Sequence, residues 1–191
     1  MSETQIRIGG FGGQGVILSA IIIGRAAAIH GGLHATLVQS FGPEARGSAS
    51  SAELIVSDQP INYPYVDDLD MLVVLSQDAY AKFSPQLKKG GLLVTDSDLV
   101  KVAPEGRQAH AGRHFTVPAT RIAEEIGRKI VLNIVTVGFF GVVSRLMPIE
   151  ALEKSVVESV PAGTRELNLK AFRRGWEAGL EAIARLAATR S

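Results

Sequence analysis

A run of glycines near the N-terminus constrains the fold of this chain more than any other feature. Five glycines fall within seven residues of the stretch IRIGGFGGQGVILSAIIIG, and Gly10, Gly12 and Gly15 have the spacing G-x-G-x-x-G between a strand-like and a helix-like apolar run. Glycine permits a tight turn and lets backbone N–H groups approach an anion, to which the helix N-terminus adds its positive dipole end. The pattern predicts a Rossmann-like strand–turn–helix unit, and it leaves open whether the turn holds a ligand or serves packing alone.

The apolar runs that follow predict an α/β fold. Strands are expected over 5–9, 35–39, 51–57, 71–75 and 92–95, with helices over 16–30 and 78–87. The link from Gln39 to Ser51 is about the minimum length for a crossover and is broken by glycine and proline, so the third strand is expected to be antiparallel to its neighbour. Lysines and glycines at 88–91 predict a turn. The predicted architecture is one three-layer α/β/α Rossmann-like domain over 1–191, with a mixed, mostly parallel sheet.

The C-terminal part of the chain predicts mainly helices. Residues 101–117 indicate one or two edge strands around a basic loop. Helices are then expected over 121–127, 130–146, 148–160 and 164–188. The last helix carries Phe172, Trp176 and Leu180 at four-residue spacing, a pattern that favours a buried core stripe over a docking surface.

Composition and charge exclude several classes of partner and chemistry. The formal net charge is +1, which gives no reason to expect nucleic acid or an anionic membrane. No apolar run is long enough to span a bilayer, and the polar opening MSETQIRI lacks the features of a signal peptide, so a cytoplasmic location is expected. The chain has no cysteine, which excludes disulfides, thiolate metal sites and cysteine-ligated iron–sulfur clusters on it.

Two familiar nucleotide sites fit the glycine run poorly. An NAD site usually has an acidic residue about twenty positions further on, at the end of the second strand, to hold the ribose. Here that strand ends in Val38-Gln39-Ser40, and the first acid is Glu44. A Walker lysine is also missing, because Gly15 leads directly into Val16. The sequence therefore disfavours a free-standing NAD dehydrogenase and an ATPase.

A second unusual segment, SFGPEARG at residues 40–47, follows the second strand. Its position predicts that it lies at the same sheet edge as the glycine run. Arg46 has the planar, forked guanidinium that binds a phosphate or a carboxylate bidentately. The alternative is that Glu44 and Arg46 pair with each other or with a partner subunit.

The two segments together carry a family resemblance. G-x-G-G-Q-G followed by S-F-G-P-E-x-R-G resembles the gamma subunit of the 2-oxoacid:ferredoxin oxidoreductases. Further matching stretches are INYP at 61–64, GGLLVTDSD at 90–98, NIVTVG at 133–138, and Asn168, Ala171, Phe172 and Gly175. Phe11 and the N-Y-P after Ile61 resemble the 2-oxoglutarate type more than the pyruvate type, in which an arginine commonly stands at the position of Phe11. Ser48 departs from the pattern, which usually has a glycine there.

The resemblance implies a subunit of a complex that converts a 2-oxoacid, here 2-oxoglutarate, and CoA into an acyl-CoA and CO2 while reducing ferredoxin. It implies alpha and beta subunits as partners, with a delta subunit as a further candidate, and places thiamine diphosphate, magnesium and iron–sulfur clusters on those partners. This chain is expected to have no catalytic residue, no metal site and no complete active site. A homodimer of the isolated chain is left open.

The two loops are expected to shape the entrance for CoA or the 2-oxoacid. The residues assigned to this binding role are Gly10, Gly12, Gly13, Gln14, Gly15, Ser40, Gly42, Pro43, Glu44 and Arg46. Two other functions remain open, namely an independent Rossmann-type nucleotide-binding protein and a scaffold subunit whose glycines only pack.

Several other polar residues are candidates of lower rank. His110 and His114 have the i, i+4 spacing of helical metal ligands, but no carboxylate stands beside either, which disfavours a metal site. Asp96 and Asp98 close a strand and are expected to cap the next segment rather than bind a ligand. Asn133 begins an apolar helix, and a structural or interface hydrogen bond is expected for it.

Overall fold

The computed structural model describes residues 3–41, 49–109 and 113–188, and its strands form one mixed sheet. The strands are β1 (Thr4–Phe11), β2 (His34–Phe41), β3 (Ala49–Ser57), β4 (Leu69–Val74), β5 (Leu87–Asp96) and β6 (His114–Val117), in the order β2-β3-β1-β4-β5-β6. β1, β4, β5 and β6 are parallel, whereas β3 is antiparallel to both β1 and β2. The predicted mixed sheet and the reversed third strand are confirmed.

Helices cover both faces of this sheet. They are α1 (Val16–Arg25), α2 (Gln77–Phe83), α3 (Pro104–Ala109), α4 (Ala119–Ile126), α5 (Leu132–Ser144), α6 (Ile149–Ser159) and α7 (Arg165–Ala188). On one face, α1, α5 and α6 share an apolar cluster with Ile6 and Ile8 of β1. On the other face, α2 contributes Phe83 to a second cluster with Leu72 of β4. The predicted three-layer α/β/α fold is confirmed.

The turn predicted at 88–91 is wrong, because these residues lie inside β5. The pairing with β4 passes from Leu69–Leu87 to Met71–Leu92, so β5 holds extra residues in a bulge. Gly90 takes a positive φ of 75° there, a conformation that glycine adopts at low cost. Two glycines after two lysines therefore mark a bulge within a strand rather than a turn between elements.

Three further boundaries differ from the sequence prediction. The predicted helix over 16–30 is α-helical only to Arg25 and continues as a π-helical turn, Ala26–His30. The helix predicted over 78–87 ends at Phe83 and is followed by a 3-10 turn, Ser84–Gln86. The region predicted as edge strands contains helix α3 before strand β6, so only its second part is a strand.

The predicted apolar stripe of α7 is only partly buried. Phe172 is fully buried, whereas Leu180 is 51% exposed. The buried face of α7 also contains Ala171, Gly175 and Gly179, which are small enough to let α5 approach closely. Small residues, rather than the large apolar ones, therefore mark the contact between the two helices.

No helix within the described residues is both long and apolar enough to cross a bilayer.

Candidate functional site

The glycine run forms a loop at the carboxyl end of β1, directly before α1. Gly13 and Gly15 have φ angles of 91° and 71°, in the left-handed region where a Cβ is strained. Gly12 and Gly13 are exposed, and a Cβ added to either would meet no atom within 4 Å. Packing therefore does not explain the absence of side chains at Gly12 and Gly13. Among the described residues, no atom fills the space next to Gly12 and Gly13.

Gln14 braces this loop from within. Its Oε1 accepts a hydrogen bond from the backbone N–H of Phe11 at 2.6 Å, and its Nε2 donates to the carbonyl of Leu75 at 2.8 Å, just beyond the end of β4. The backbone N–H of Gln14 donates to the carbonyl of Phe11. A Cβ at Gly10 would lie 2.5 Å from Gln14 Oε1, so Gly10 leaves room for the brace. Gln14 thus fixes the shape of the loop with both ends of its carboxamide.

The loop presents unpaired backbone donors at the N-terminus of α1. Gly15 is the N-cap residue, makes no side-chain cap, and is followed by no acidic residue in the first turn. Across the described residues, no backbone acceptor is found for the N–H groups of Gly12, Gly13 and Gly15. Free N–H groups at the positive end of a helix dipole favour an anion. The geometry therefore fits the anion-binding interpretation of the glycine run.

The second predicted loop leaves β2 at the same edge. Ser40 of β2 lies opposite Ser51 of β3, which in turn lies opposite Gly9 of β1. β2 and β1 point the same way, since both are antiparallel to β3, so both strands end at the same edge of the sheet with β3 between them. Gly42, Pro43, Glu44 and Arg46 lie outside the described residues. The structure therefore places Ser40 two strands from the glycine loop and leaves the role of the other four a prediction.

Asn133 joins the site from a distant part of the chain. It lies in the first turn of α5, is 3% exposed, and contacts Gly15, where an added Cβ would lie 2.6 Å from both Cγ and Nδ2 of the asparagine. No hydrogen-bond partner of the Asn133 carboxamide is found among the described residues, so the structural alternative is not seen there, and the interface hydrogen bond stays a prediction. The start of an apolar helix gave no signal that this side chain would meet the glycine loop.

The other polar candidates have structural partners. Asp96 is fully buried and accepts a hydrogen bond from the backbone N–H of Asp98, so it ties down the segment directly after β5 as expected. It also accepts hydrogen bonds from the backbone N–H and the hydroxyl of Thr120 in the first turn of α4, a distant contact that the sequence did not predict. Asp98 accepts a hydrogen bond from Arg121, which raises the pKa of that guanidinium above its ordinary value. His114 lies in β6, with Nε2 3.2 Å from the hydroxyl oxygen of Thr95, while His110 lies outside the described residues.

Within the described ranges, no group of three or more histidine, aspartate or glutamate side chains is arranged to hold a metal ion.

The family model of pyruvate ferredoxin/flavodoxin oxidoreductase matches residues 5–178. The chain belongs to this family. A solved member is the keto/oxoacid ferredoxin oxidoreductase gamma subunit from Geobacter sulfurreducens PCA, which is 40% identical to this chain with a TM-score of 0.82. The match covers 95% of this chain and 99% of the Geobacter subunit. The resemblance to gamma subunits of this family, seen first in the two loop motifs, is confirmed.

Two further comparisons concern relatives named for 2-oxoglutarate. The 2-oxoglutarate synthase subunit KorC of Methanocaldococcus jannaschii is 46% identical over 180 residues, covering 93% of this chain and 94% of the relative. The 2-oxoglutarate:ferredoxin oxidoreductase from Magnetococcus marinus, solved with 2-oxoglutarate, coenzyme A and succinyl-CoA bound, matches with a TM-score of 0.83 at 21% identity. This match covers 95% of the present chain and 32% of the longer one, and it shows a shared fold.

Proposed function

We propose that this member of the family is the gamma subunit of a 2-oxoglutarate:ferredoxin oxidoreductase. The observation that carries the proposal is the 46% identity to a 2-oxoglutarate synthase subunit over nearly the full length of both chains. Phe11 and the N-Y-P motif after Ile61 support the same substrate type. The complex would decarboxylate 2-oxoglutarate oxidatively, transfer the acyl group to CoA and pass two electrons to ferredoxin in the cytoplasm.

In this proposal the chain contains no complete active site of its own. The alpha and beta subunits, with a delta subunit where one is present, would hold thiamine diphosphate, magnesium and the iron–sulfur clusters. The absence of cysteine supports this division, because cysteine thiolates are the usual cluster ligands. The chain would fold as one domain that completes the assembly and contributes its glycine loop and the segment after β2 to the binding of CoA.

The charge and position of the loops support a role in CoA binding. CoA is anionic, and the glycine loop offers free N–H groups at the positive end of α1. Arg46 follows β2, whose end lies at the same edge of the sheet, and would add a positive charge. Gln14 would act by holding the loop in shape rather than by contacting CoA, since its carboxamide is engaged at both ends.

Replacing Arg46 tests this assignment. We expect Arg46→Ala, in the intact complex, to raise the KM for CoA by roughly tenfold to a hundredfold, because a hydrogen bond to a charged group contributes about 1.5–3 kcal/mol. The KM for the 2-oxoacid is expected to stay within about twofold of the wild-type value, since less than 0.5 kcal/mol is lost there. The measurement is steady-state, anaerobic viologen reduction with the complex purified through a tag on this chain.

Arg113→Ala is the matched control. Arg113 is an exposed arginine that precedes β6 and therefore lies at the amino edge of the sheet, away from the glycine loop. We expect it to leave the KM for CoA unchanged. The assignment of Arg46 fails if its replacement changes neither the KM for CoA nor the assembly of the complex. A change in assembly alone would favour a pure scaffold.

A further inference from the structure

Two exposed tyrosines in the segment between β3 and β4 contact each other on the surface. Tyr63 is 57% exposed and Tyr65 is 54% exposed. Their ring centroids lie 5.4 Å apart at an interplanar angle of 61°, an edge-to-face arrangement that aromatic rings prefer. The other large hydrophobic side chains that are exposed in the described chain lie on separate elements and are Ile29, Leu99, Ile130 and Leu180. Since single exposed hydrophobic residues are normal, only the tyrosine pair needs an explanation.

The segment that carries the two rings is tied to the rest of the fold. Gln5 Oε1 of β1 accepts hydrogen bonds from the backbone N–H groups of Asp67 and Asp68, at 2.9 and 3.1 Å. Val66 packs against the apolar cluster on the α2 face of the sheet. Pro64, between the tyrosines, restricts the backbone further. The rings are thus held in position before a partner binds, which lowers the entropy lost on binding.

The tyrosine pair lies at the opposite edge of the sheet from the glycine loop. β3 ends at Ser57, and its residue Val56 lies opposite Thr4, at the start of β1. The glycine loop instead follows Phe11, the last residue of β1. The segment between β3 and β4 therefore starts at the amino edge of β1. Substitutions in it can change the binding of a partner without touching the glycine loop.

The charges beside the tyrosine pair indicate the chemistry of a partner. Residues 58–70 contain four aspartates and no lysine, arginine or histidine. Asp70 forms an ion pair with Lys88, at 2.8 Å between Oδ1 and Nζ. Asp67 and Asp68 are exposed, and neither forms an ion pair with a described residue. Carboxylates and the faces of aromatic rings both attract cations, so the surface favours arginine and lysine side chains.

We propose that Tyr63 and Tyr65, with Asp67 and Asp68 beside them, form a docking surface for a basic face of a partner subunit. This inference rests on the proposed function, which supplies such subunits. Tyrosine is enriched at the centre of protein interfaces, where a few residues carry most of the binding energy. A symmetric dimer of this chain through the same surface would bring like charges together, which disfavours a second copy as the occupant.

The first test removes the two rings. The complex is purified anaerobically through a tag on this chain, diluted and recaptured, and the thiamine diphosphate and iron that stay with the tag give a dissociation constant. We expect Tyr63→Ala/Tyr65→Ala to raise this constant roughly thirtyfold or more, as for aromatic residues at the centre of an interface. The unfolding temperature of the isolated variant chain is expected to stay within about 2 °C of wild type, because both rings are largely exposed.

Two charge variants test the sign of the partner surface. We expect Asp67→Asn/Asp68→Asn to weaken binding at low salt and to make the dissociation constant less dependent on salt, because fewer charge pairs remain to be screened. Asp67→Lys/Asp68→Lys is expected to weaken binding further, by roughly tenfold or more. Leu180→Ala is the matched control, since Leu180 is 51% exposed but lies in α7. We expect it to leave the dissociation constant unchanged.

The inference is overturned if Tyr63→Ala/Tyr65→Ala raises the dissociation constant no more than Leu180→Ala does. Tighter binding by the lysine variant also overturns it, because the partner surface would then be acidic. A dimer of the isolated wild-type chain that the tyrosine substitutions dissociate overturns it too, since the occupant would be a second copy. In these cases the proposed function stands, because the wild-type complex is intact. A wild-type chain that purifies without thiamine diphosphate, iron or activity overturns both.

Discussion

Of the glycine-to-alanine substitutions within the described residues, we expect Gly175→Ala to destabilise the chain most. The backbones of α5 and α7 are in direct contact at this position, and a Cβ at Gly175 would lie 1.9 Å from the carbonyl oxygen of Val135. The contact is reciprocal, because a Cβ at Gly138 of α5 would lie 2.1 Å from the carbonyl oxygen of Phe172. Backbone atoms of packed helices cannot rotate away as the end of a side chain does, so the helices must separate.

Such a separation would loosen the main apolar cluster, which includes the fully buried Phe139 and Phe172. We expect a loss of about 3 kcal/mol or more in the free energy of unfolding, at the upper end of what overpacking costs. That is a large share of the roughly 5–15 kcal/mol by which proteins are stable. Urea denaturation of the purified chain, followed by circular dichroism, measures the change.

Gly163→Ala is the matched control for this substitution. Gly163 lies in the short 3-10 turn before α7, is exposed, has an ordinary φ, and a Cβ there would meet no atom within 4 Å. We expect its free energy of unfolding to stay within about 0.5 kcal/mol of wild type, as for other surface changes. Equal denaturation midpoints for Gly175→Ala and Gly163→Ala would contradict the close approach of the two helices.

Arg7→Met is the second substitution for which we expect a large effect. Arg7 of β1 is a charged residue on a covered face of the sheet, and its side chain is 8% exposed. Its guanidinium forms an ion pair with Glu53 of β3, donates a hydrogen bond to Gln86, and lies 4.8 Å from the ring centroid of Phe83. Methionine fills much of the same volume but leaves the carboxylate of Glu53 without its counter-ion.

Breaking a buried ion pair by removing one partner typically costs 3–5 kcal/mol. Because 19% of the Glu53 side chain is exposed to water, we expect a smaller loss of about 2–4 kcal/mol in the free energy of unfolding. The double variant Arg7→Met/Glu53→Gln removes both charges and is expected to be more stable than Arg7→Met alone. Denaturation of Arg7→Met, Glu53→Gln and the double variant completes a double-mutant cycle. Strictly additive losses would show that the two charges do not stabilise each other.

Local sequence signals predicted the elements around the glycine loop correctly. The strand before it, the turn and the start of α1 follow from residues that are adjacent in the chain, and two of the glycines take the positive φ angles that the turn requires. The reversed direction of β3 was also predictable, because the link between residues 39 and 51 is only about the minimum length for a crossover and is broken by glycine and proline. Chain length and backbone conformation are properties that a single sequence shows directly.

Contacts between distant residues were not predictable in the same way. Lys88-Lys89-Gly90-Gly91 has the composition of a turn, and only the pairing with β4 shows that it is a bulge in β5. Asn133 and Gly15 meet because α5 packs against the start of α1, which no local pattern indicates. The buried ion pair of Arg7 likewise depends on the register of β1 with β3. In each case the partner is set by the tertiary fold.

The most direct test of the proposed function is a native co-purification. The tagged chain would be isolated from its own cells under strict anaerobiosis, and the eluate assayed for thiamine diphosphate, iron and CoA-dependent viologen reduction with 2-oxoglutarate, pyruvate and branched 2-oxoacids. We expect cysteine-containing partner subunits and an activity that is highest with 2-oxoglutarate. A colourless single chain without partners or activity would contradict the subunit assignment, and a complex active only with pyruvate would contradict the substrate.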